Sequence, residues 1–335
     1  MLKLPKFFII LLFIAQLVVF STFVKTSFSE SLENTFPSQD QSPSEDVAPA
    51  PENSLKEGTI ETAPRDFKSL DKSEKSVWRE RKDFEKQTHK KAFAVSLHRP
   101  NYFLGATYNR NPNKELYKSV GRDEPEHYEA KFQLSARILV WPEIFNRKAD
   151  LYASYTQRSL WQIYSESSPF RETNYEPEIF LSFDTDFDFF GLTNRLFSFG
   201  ANHESNGMGP DLSRSWNRIY MEFIAERGNF VTGLRTWYRI AEDAEDDDNP
   251  DIEDYLGYGH IFGAYKYRKN VFSFLLRNNL DFDDNKGALE IGWSYPIINK
   301  LRLYVQYFYG YGESLADYNV RSNRISFGVM INDWI

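Results

Sequence analysis

A chain of 335 residues with no cysteine, a formal net charge of -8 and 17% aromatic residues excludes several classes of protein at once. No disulfide, thiolate metal site or lipid-modified N-terminal cysteine can form, and an acidic balance with dispersed Lys and Arg gives no footprint for a nucleic-acid partner. The mean hydropathy of -0.55 is too polar for a bundle of membrane helices.

The N-terminus, residues 1–26, reads as an export signal. Lys3 and Lys6 precede residues 7–20, which are apolar except for Gln16, and small or polar residues follow at Ser21, Thr22 and Thr26. This is the three-part pattern of a cleaved signal peptide; the alternative is an uncleaved anchor, since the run continues to Val24. Residues 27–90 read as a periplasmic segment. Up to about residue 65 they are rich in Ser, Pro, Glu and Asp, a composition that buries no core. Residues 66–90 are charged, with a short helix expected near 72–86.

From 91 to 335 the pattern becomes strand, turn, strand. Leu289, Ile291, Trp293, Tyr295 and Ile297 alternate with Glu290, Gly292 and Ser294. Leu301 to Tyr311 repeat the odd-numbered pattern, as do Ile325, Phe327, Val329 and Ile331, while Phe272, Phe274, Leu276, Leu280 and Phe282 carry it on even numbers. Alternating segments of about ten residues with aromatic ends point to a transmembrane β-barrel. A soluble sandwich would alternate too; the export signal and a strand running to the chain end favour the barrel. The fold class is therefore all-β, a twelve-stranded antiparallel transmembrane barrel, with strands beginning near 93, 126, 149, 174, 194, 215, 229, 254, 270, 286, 300 and 321. Links near 228, 269 and 299 are tight. Those near 109–124, 160–173, 207–214, 242–253 and 312–319 are longer and polar. Short turns belong to the periplasm and long loops to the exterior, so an even strand count puts both termini in the periplasm of an outer-membrane protein.

The chemistry concentrates in Asn202-His203-Glu204-Ser205-Asn206-Gly207 and Ser213-Arg214-Ser215-Trp216-Asn217-Arg218. Side chains alternate faces along a strand, so His203 and Ser205 share a face with Phe197, Phe199 and Ala201. Asn217 is likewise in phase with Ile219, Met221 and Phe223. A serine needs a base to take its proton, and the base needs an orienting group. His203 is the natural base and Ser205 the nucleophile. Asn217 orients the imidazole without putting a charge against hydrocarbon, where charge is costly. The plainer alternative is a set of polar residues in an interface belt. No G-x-S-x-G elbow, zinc motif or phosphate-binding glycine loop offers a rival chemistry.

These blocks, with Tyr155-Thr156-Gln157, Ser167-Ser168-Pro169-Phe170-Arg171-Glu172, Asp248-Asn249-Pro250-Asp251 and Gly310-Tyr311-Gly312-Glu313-Ser314, resemble the bacterial outer-membrane phospholipase A family over residues 93–335. The resemblance implies a twelve-stranded barrel with a Ser-His-Asn triad on its outer surface, active as a calcium-bound homodimer on membrane phospholipids and lysophospholipids. It implies Ser205 as nucleophile, His203 as base and Asn217 as orienting residue, with the N–H of Gly207 in the oxyanion hole. It implies Ca2+ ligands from the Ser213 hydroxyl, the Met208 carbonyl and the Ser167 hydroxyl of the second subunit. Asp248 would serve a further calcium site of the monomer, and Gln157 the dimer interface. Position 208 is Met where the family commonly has Arg, the family's Asp-Pro pair is reversed as Pro210-Asp211, and the chain ends in Ile335 and not an aromatic residue. A catalytically silent barrel, pore or adhesin, is the reading from another class.

Overall fold

Along Leu301–Gly310 the even-numbered Tyr304, Gln306 and Phe308 are buried while Leu303, Tyr307 and Tyr309 stay exposed. That two-residue period, repeated in strand after strand, is what a closed sheet needs: one face fills a lumen and the other faces outward. The computed structural model describes residue 93 and residues 95–332 apart from 122, 148 and 299. The expected export signal, the 27–90 segment with its helix, and the terminal residues 334 and 335 lie outside the described residues.

The strands are β1 (Val95–Leu97), β2 (Asn101–Asn109), β3 (Tyr128–Glu143), β4 (Ala149–Trp161), β5 (Phe170–Phe189), β6 (Leu192–Ser205) and β7 (Ser215–Arg227). They continue with β8 (Phe230–Ile240), β9 (Gly259–Tyr267), β10 (Asn270–Asn278), β11 (Gly287–Ile298), β12 (Leu301–Gly310) and β13 (Ser322–Asn332). From β2 onward each strand pairs antiparallel with the next, and β13 pairs back onto β2 with Arg324 opposite Asn109, which closes a ring of twelve. The short β1 pairs only with β3, in line with β2, with Val95 opposite Ile138. The first barrel strand is thus interrupted at residues 98–100. Pro100 has no N–H for the ladder, and Arg99 beside it turns inward, donating to Glu176 at 2.6 Å and Glu178 at 2.8 Å.

Connections at one end are short: residues 190–191, 228–229, 268–269 and 299–300, and 144–148 with its single helical turn α2 (Ile144–Arg147). At the other end they are long: 110–127, holding helix α1 (Lys114–Ser119), then 162–169, 206–214, 241–258, 279–286 and 311–321. Two boundaries depart from the expected pattern. The strand expected near 254 begins at Gly259, because residues 252–256 form helix α3 (Ile252–Leu256), which Gly257 ends with a φ of 64°. The alternation expected through Phe282 stops in β10; Leu280, at a φ of 57°, already belongs to a loop.

Charged side chains fill the lumen, and a buried charge is tolerable only when paired. At mid-barrel Arg235 bridges Glu178 at 3.0 Å and Glu222 at 2.7 Å. Toward the long-loop end Arg324 and Lys131 share Glu313, and Arg171 pairs with Glu129 and Asp317. The 311–321 loop folds in above them and buries Leu315, Ala316 and Tyr318. A cavity of about 150 Å³, lined among others by His98, Glu222, Arg235, His260 and Glu290, remains beside the mid-barrel pairs. Such filling speaks against the open channel that a pore requires.

Candidate active site

Strands β6 and β7 form a hairpin joined by the 206–214 loop at the long-loop end. Its register sets Ser205 opposite Ser215, His203 opposite Asn217 and Phe199 opposite Met221. The inward side chains of the two strands are locked together. Trp216, fully buried, donates its indole N–H to Glu204 at 3.0 Å. Arg218 donates to the same carboxylate at 2.8 Å and to Glu176 at 3.2 Å, with its guanidinium 3.8 Å from the centre of the Trp216 ring. Asn202 adds a bond to Glu176. Desolvated pairs of this kind fix the backbone that carries them, because breaking one leaves a charge buried alone.

With the inner face committed to the lumen, the outer face presents His203, Ser205 and Asn217, each half-buried. His203 Nδ1 lies 2.9 Å from Asn217 Oδ1. The other end of that amide, Nδ2, donates to Glu242 at 2.8 Å, so Oδ1 is the acceptor and Nδ1 carries the proton. Nε2 is then left with a lone pair. Ser205 closes β6 two residues on, on the same face. The structure thus pairs His203 with Asn217 and places Ser205 on the same face of β6, two residues from the imidazole.

The loop after Ser205 is organised by a residue the sequence reading passed over. Asn206 is buried; its Nδ2 donates to the Leu212 carbonyl at 2.8 Å, and its Oδ1 accepts from the N–H of Arg214 at 3.1 Å and of Met208 at 3.3 Å. Next to it Gly207 has a φ of 60°, where a Cβ would come within 3.1 Å of the Tyr175 ring. Only glycine holds that conformation without strain, and its N–H follows directly after the hydroxyl-bearing strand end. The signal available in the sequence was an Asn at a turn, which bonds its own neighbouring backbone.

Of the expected metal ligands, the structure brings two side chains together. Ser213 donates to Asp248 at 2.5 Å. The acidic stretch 242–248 is a largely exposed loop, with Asp243, Glu245, Asp246 and Asp248 open to solvent, and it is tied to the barrel at its ends. Fully buried Asn249 accepts from the N–H of Ser215 at 3.0 Å, and Arg239 holds Asp247 at 2.6 Å. Met208 sits in the same 206–214 loop as Ser213. Ser167 is exposed in the separate 162–169 loop, where Ser168 makes the turn at a φ of 43°. Among the described residues no cluster of three His, Cys, Asp or Glu could hold a metal. The donors at hand are hydroxyl, carbonyl and a single carboxylate. That all-oxygen set suits calcium, which takes oxygen ligands in variable number and geometry, and it leaves places for water or for a second subunit. Gln157 lies on the outer face of β4, accepting from Tyr155 at 3.4 Å and donating to Ser159 at 3.2 Å.

A sequence model of the family described as Phospholipase A1 matches residues 78–331. A phospholipase A1 of Salmonella typhimurium is 42% identical over 250 residues, 74% of this chain and 84% of that protein. Among solved structures, an active-site mutant of Escherichia coli outer membrane phospholipase A, with an asparagine changed to alanine, superposes at a TM-score of 0.68. It is 41% identical and covers 74% of this chain and 96% of its own. The Salmonella typhi outer membrane phospholipase, crystallised as a dimer with bound calcium, gives 0.66 at 42% identity, covering 72% and 93%.

Proposed function

Because this chain belongs to the phospholipase A1 family, we propose that it is a calcium-dependent outer-membrane phospholipase A. On this reading it hydrolyses acyl esters of phospholipids and lysophospholipids as a homodimer, with the outer barrel face at His203, Ser205 and Asn217 turned to lipid. The observation that carries the proposal is the 2.9 Å contact of His203 with Asn217 on the outer face, backed by the buried Glu204, Trp216 and Arg218 lattice. Polar residues on a lipid face need a functional reason. The relatives' names and the asparagine mutant described as an active-site variant support the same assignment.

His203 Nε2 takes the Ser205 hydroxyl proton as Oγ attacks the ester carbonyl carbon, and Asn217 Oδ1 stabilises the imidazolium through Nδ1–H. The N–H of Gly207 faces the oxyanion that forms. Collapse breaks the ester bond; the leaving alcohol oxygen of the lysophospholipid takes the proton from His203 and the acyl group stays on Ser205. Water then gives a proton to His203 and attacks the acyl carbon, releasing the fatty acid and returning Ser205 to its hydroxyl form. The Ser213 hydroxyl and the Met208 carbonyl, with Ser167 of a second copy, would hold calcium, which when bound supplies positive charge beside the oxyanion, and Asp248 would serve a further calcium site of the monomer. Since β2 begins and β13 ends at the short-turn end, both termini are assigned to the periplasm, residues 1–26 to a removable signal and 27–90 to a periplasmic segment.

The direct test is hydrolysis of phospholipid in detergent micelles by the refolded protein, with calcium and with chelator. Ser205→Ala and His203→Ala are each expected to lose more than 10³-fold in kcat while keeping the heat-modifiable mobility of a folded barrel. Wild-type turnover in Ser205→Ala would end the assignment.

A further inference from the structure

Beyond the triad, the 2.8 Å bond from Asn217 Nδ2 to Glu242 ties a charged residue to the orienting amide. We propose that Glu242 is a positioning residue, whose carboxylate fixes the Asn217 amide so that oxygen, and not nitrogen, faces His203. The proposal rests on the triad reading above and adds a fourth member to it.

The placement follows from register. Asn217 lies opposite Ile240, the last residue of β8. Two residues further on, Glu242 returns to the same outer face, beyond the end of the ladder, and reaches back to the amide. A carboxamide has nearly the same shape either way round, so shape alone does not choose which end meets the imidazole. In the observed orientation both ends are satisfied, with Nδ1–H meeting Oδ1 and the NH2 meeting a carboxylate. In the turned orientation NH2 would face Nδ1, the ring proton would have to move to Nε2, and the base toward Ser205 would be lost. At the same time Oδ1 would confront the carboxylate oxygen. Glu242 therefore sets the amide, the amide sets the tautomer, and the tautomer leaves the Nε2 lone pair free. A charge-assisted hydrogen bond is about twice as strong as a neutral one, which suits it to holding an otherwise symmetric group.

The same arrangement keeps charge off the strand-borne row. His203 is faced by Pro177 of β5, next to Tyr175 opposite Ser205, and by Asn217 of β7, with Ile240 of β8 beyond. Glu204 and Arg218 of its own hairpin point into the lumen and are spent on each other. The carboxylate that balances the transient imidazolium sits past the strand end, two residues beyond Ile240, and acts through a neutral relay. An aspartate at 217 would do so directly, at the cost of a charge within the membrane-facing sheet.

The test compares Glu242→Ala and Glu242→Gln with wild type, Asn217→Ala and Ser205→Ala, in the full-length dimer at saturating calcium. Plateau kcat/KM of Glu242→Ala is expected to fall roughly tenfold, the size of one hydrogen bond to a charged group. Glu242→Gln, whose Oε1 still accepts from Nδ2, is expected to recover to within about threefold. Both variants should move the acid limb of the profile to lower pH, because removing a nearby negative charge makes imidazolium easier to deprotonate. Glu242→Ala on top of Asn217→Ala should add nothing, since both act through one contact. The proposal is overturned by an unchanged rate and profile in Glu242→Ala, or by additive losses in the double variant. It is also overturned if high calcium alone restores Glu242→Ala, which would make Glu242 a metal ligand. Activity in Ser205→Ala would instead sink the triad reading itself, so the two failures are distinct.

Discussion

Asn206→Ala separates the loop from the barrel. The side chain makes one donated bond to Leu212 at 2.8 Å and accepts two from backbone N–H groups at 3.1 and 3.3 Å. A buried hydrogen bond nets about 1 kcal/mol; the longest here contributes least, so the three sum to about 2–3 kcal/mol of local order. If the turnover-competent state needs the 206–214 loop as seen, that loss corresponds to a roughly 30- to 150-fold fall in kcat/KM. Asn206→Asp keeps an accepting oxygen but sets a buried carboxylate oxygen against the Leu212 carbonyl, so it is expected to fall at least as far. The barrel itself should be indifferent, because the β6–β7 ladder and the lattice behind it are untouched. Raising calcium should recover part of the loss in both variants, since an ion that binds only the ordered loop shifts its equilibrium by mass action. The assay is phospholipid hydrolysis against calcium concentration, with gel mobility of unheated protein as the fold control. Activity of Asn206→Ala within threefold of wild type at limiting calcium would refute this account of the loop. So would loss of heat-modifiability, which would put Asn206 among the residues that hold the barrel.

Two further outcomes follow from the outer face and the loops. Lipid-soluble carbene probes should label Phe199, Ile219 and Phe223 and spare Gly200, Arg218, Tyr220 and Glu222; Met221 is in the outward phase but only 2% exposed, so its labelling should be weak. Reversal of that pattern would mean that the outer face is not the lipid face. Ser167→Ala and Ser213→Ala should each raise the calcium needed for half-maximal activity, and Met208→Ala should not, because its carbonyl remains. Chelation should lower activity and the crosslinked dimer fraction together, and full activity in chelator from a monomer would exclude the proposed calcium-dependent dimer.

Much of this was legible in the alternation alone. The inward phase of Trp216, Arg218 and Tyr220 could be read because a strand has a period of two and a one-residue slip exchanges its faces, and the structure buries all three. The positions of His203, Ser205 and Asn217 followed from the same phase. What alternation cannot convey is anything set by a loop. Helix α3 lies where a strand was expected to begin near 254, although Asp251 before it and Gly257 after it are ordinary helix boundaries. Asn206 and Glu242 were invisible as individuals because their partners lie across a turn or on a neighbouring strand. Phe197 and Met221 have the outward phase yet are buried, for alternation gives a direction and not the cover: the Phe223 ring lies 4.8 Å from that of Phe197, with Phe183 on its other side at 5.9 Å.

With Glu204, Trp216, Arg218 and Glu176 interlocked behind it, the β6–β7 hairpin has no alternative register that would not strand buried charge. The His203–Asn217 contact is therefore set by the barrel itself, and on the proposed reading activation needs no rearrangement of the strands. On the proposed reading, what remains open lies in the loops, where a second copy and a metal ion would complete the site. Output then scales with encounter: at low surface density, turnover per unit area should rise as the square of the number of copies and fall back as soon as they disperse. On that reading, a sparsely populated membrane would be protected by dilution, and crowding alone would raise hydrolysis, with no chemical modification and no refolding in between.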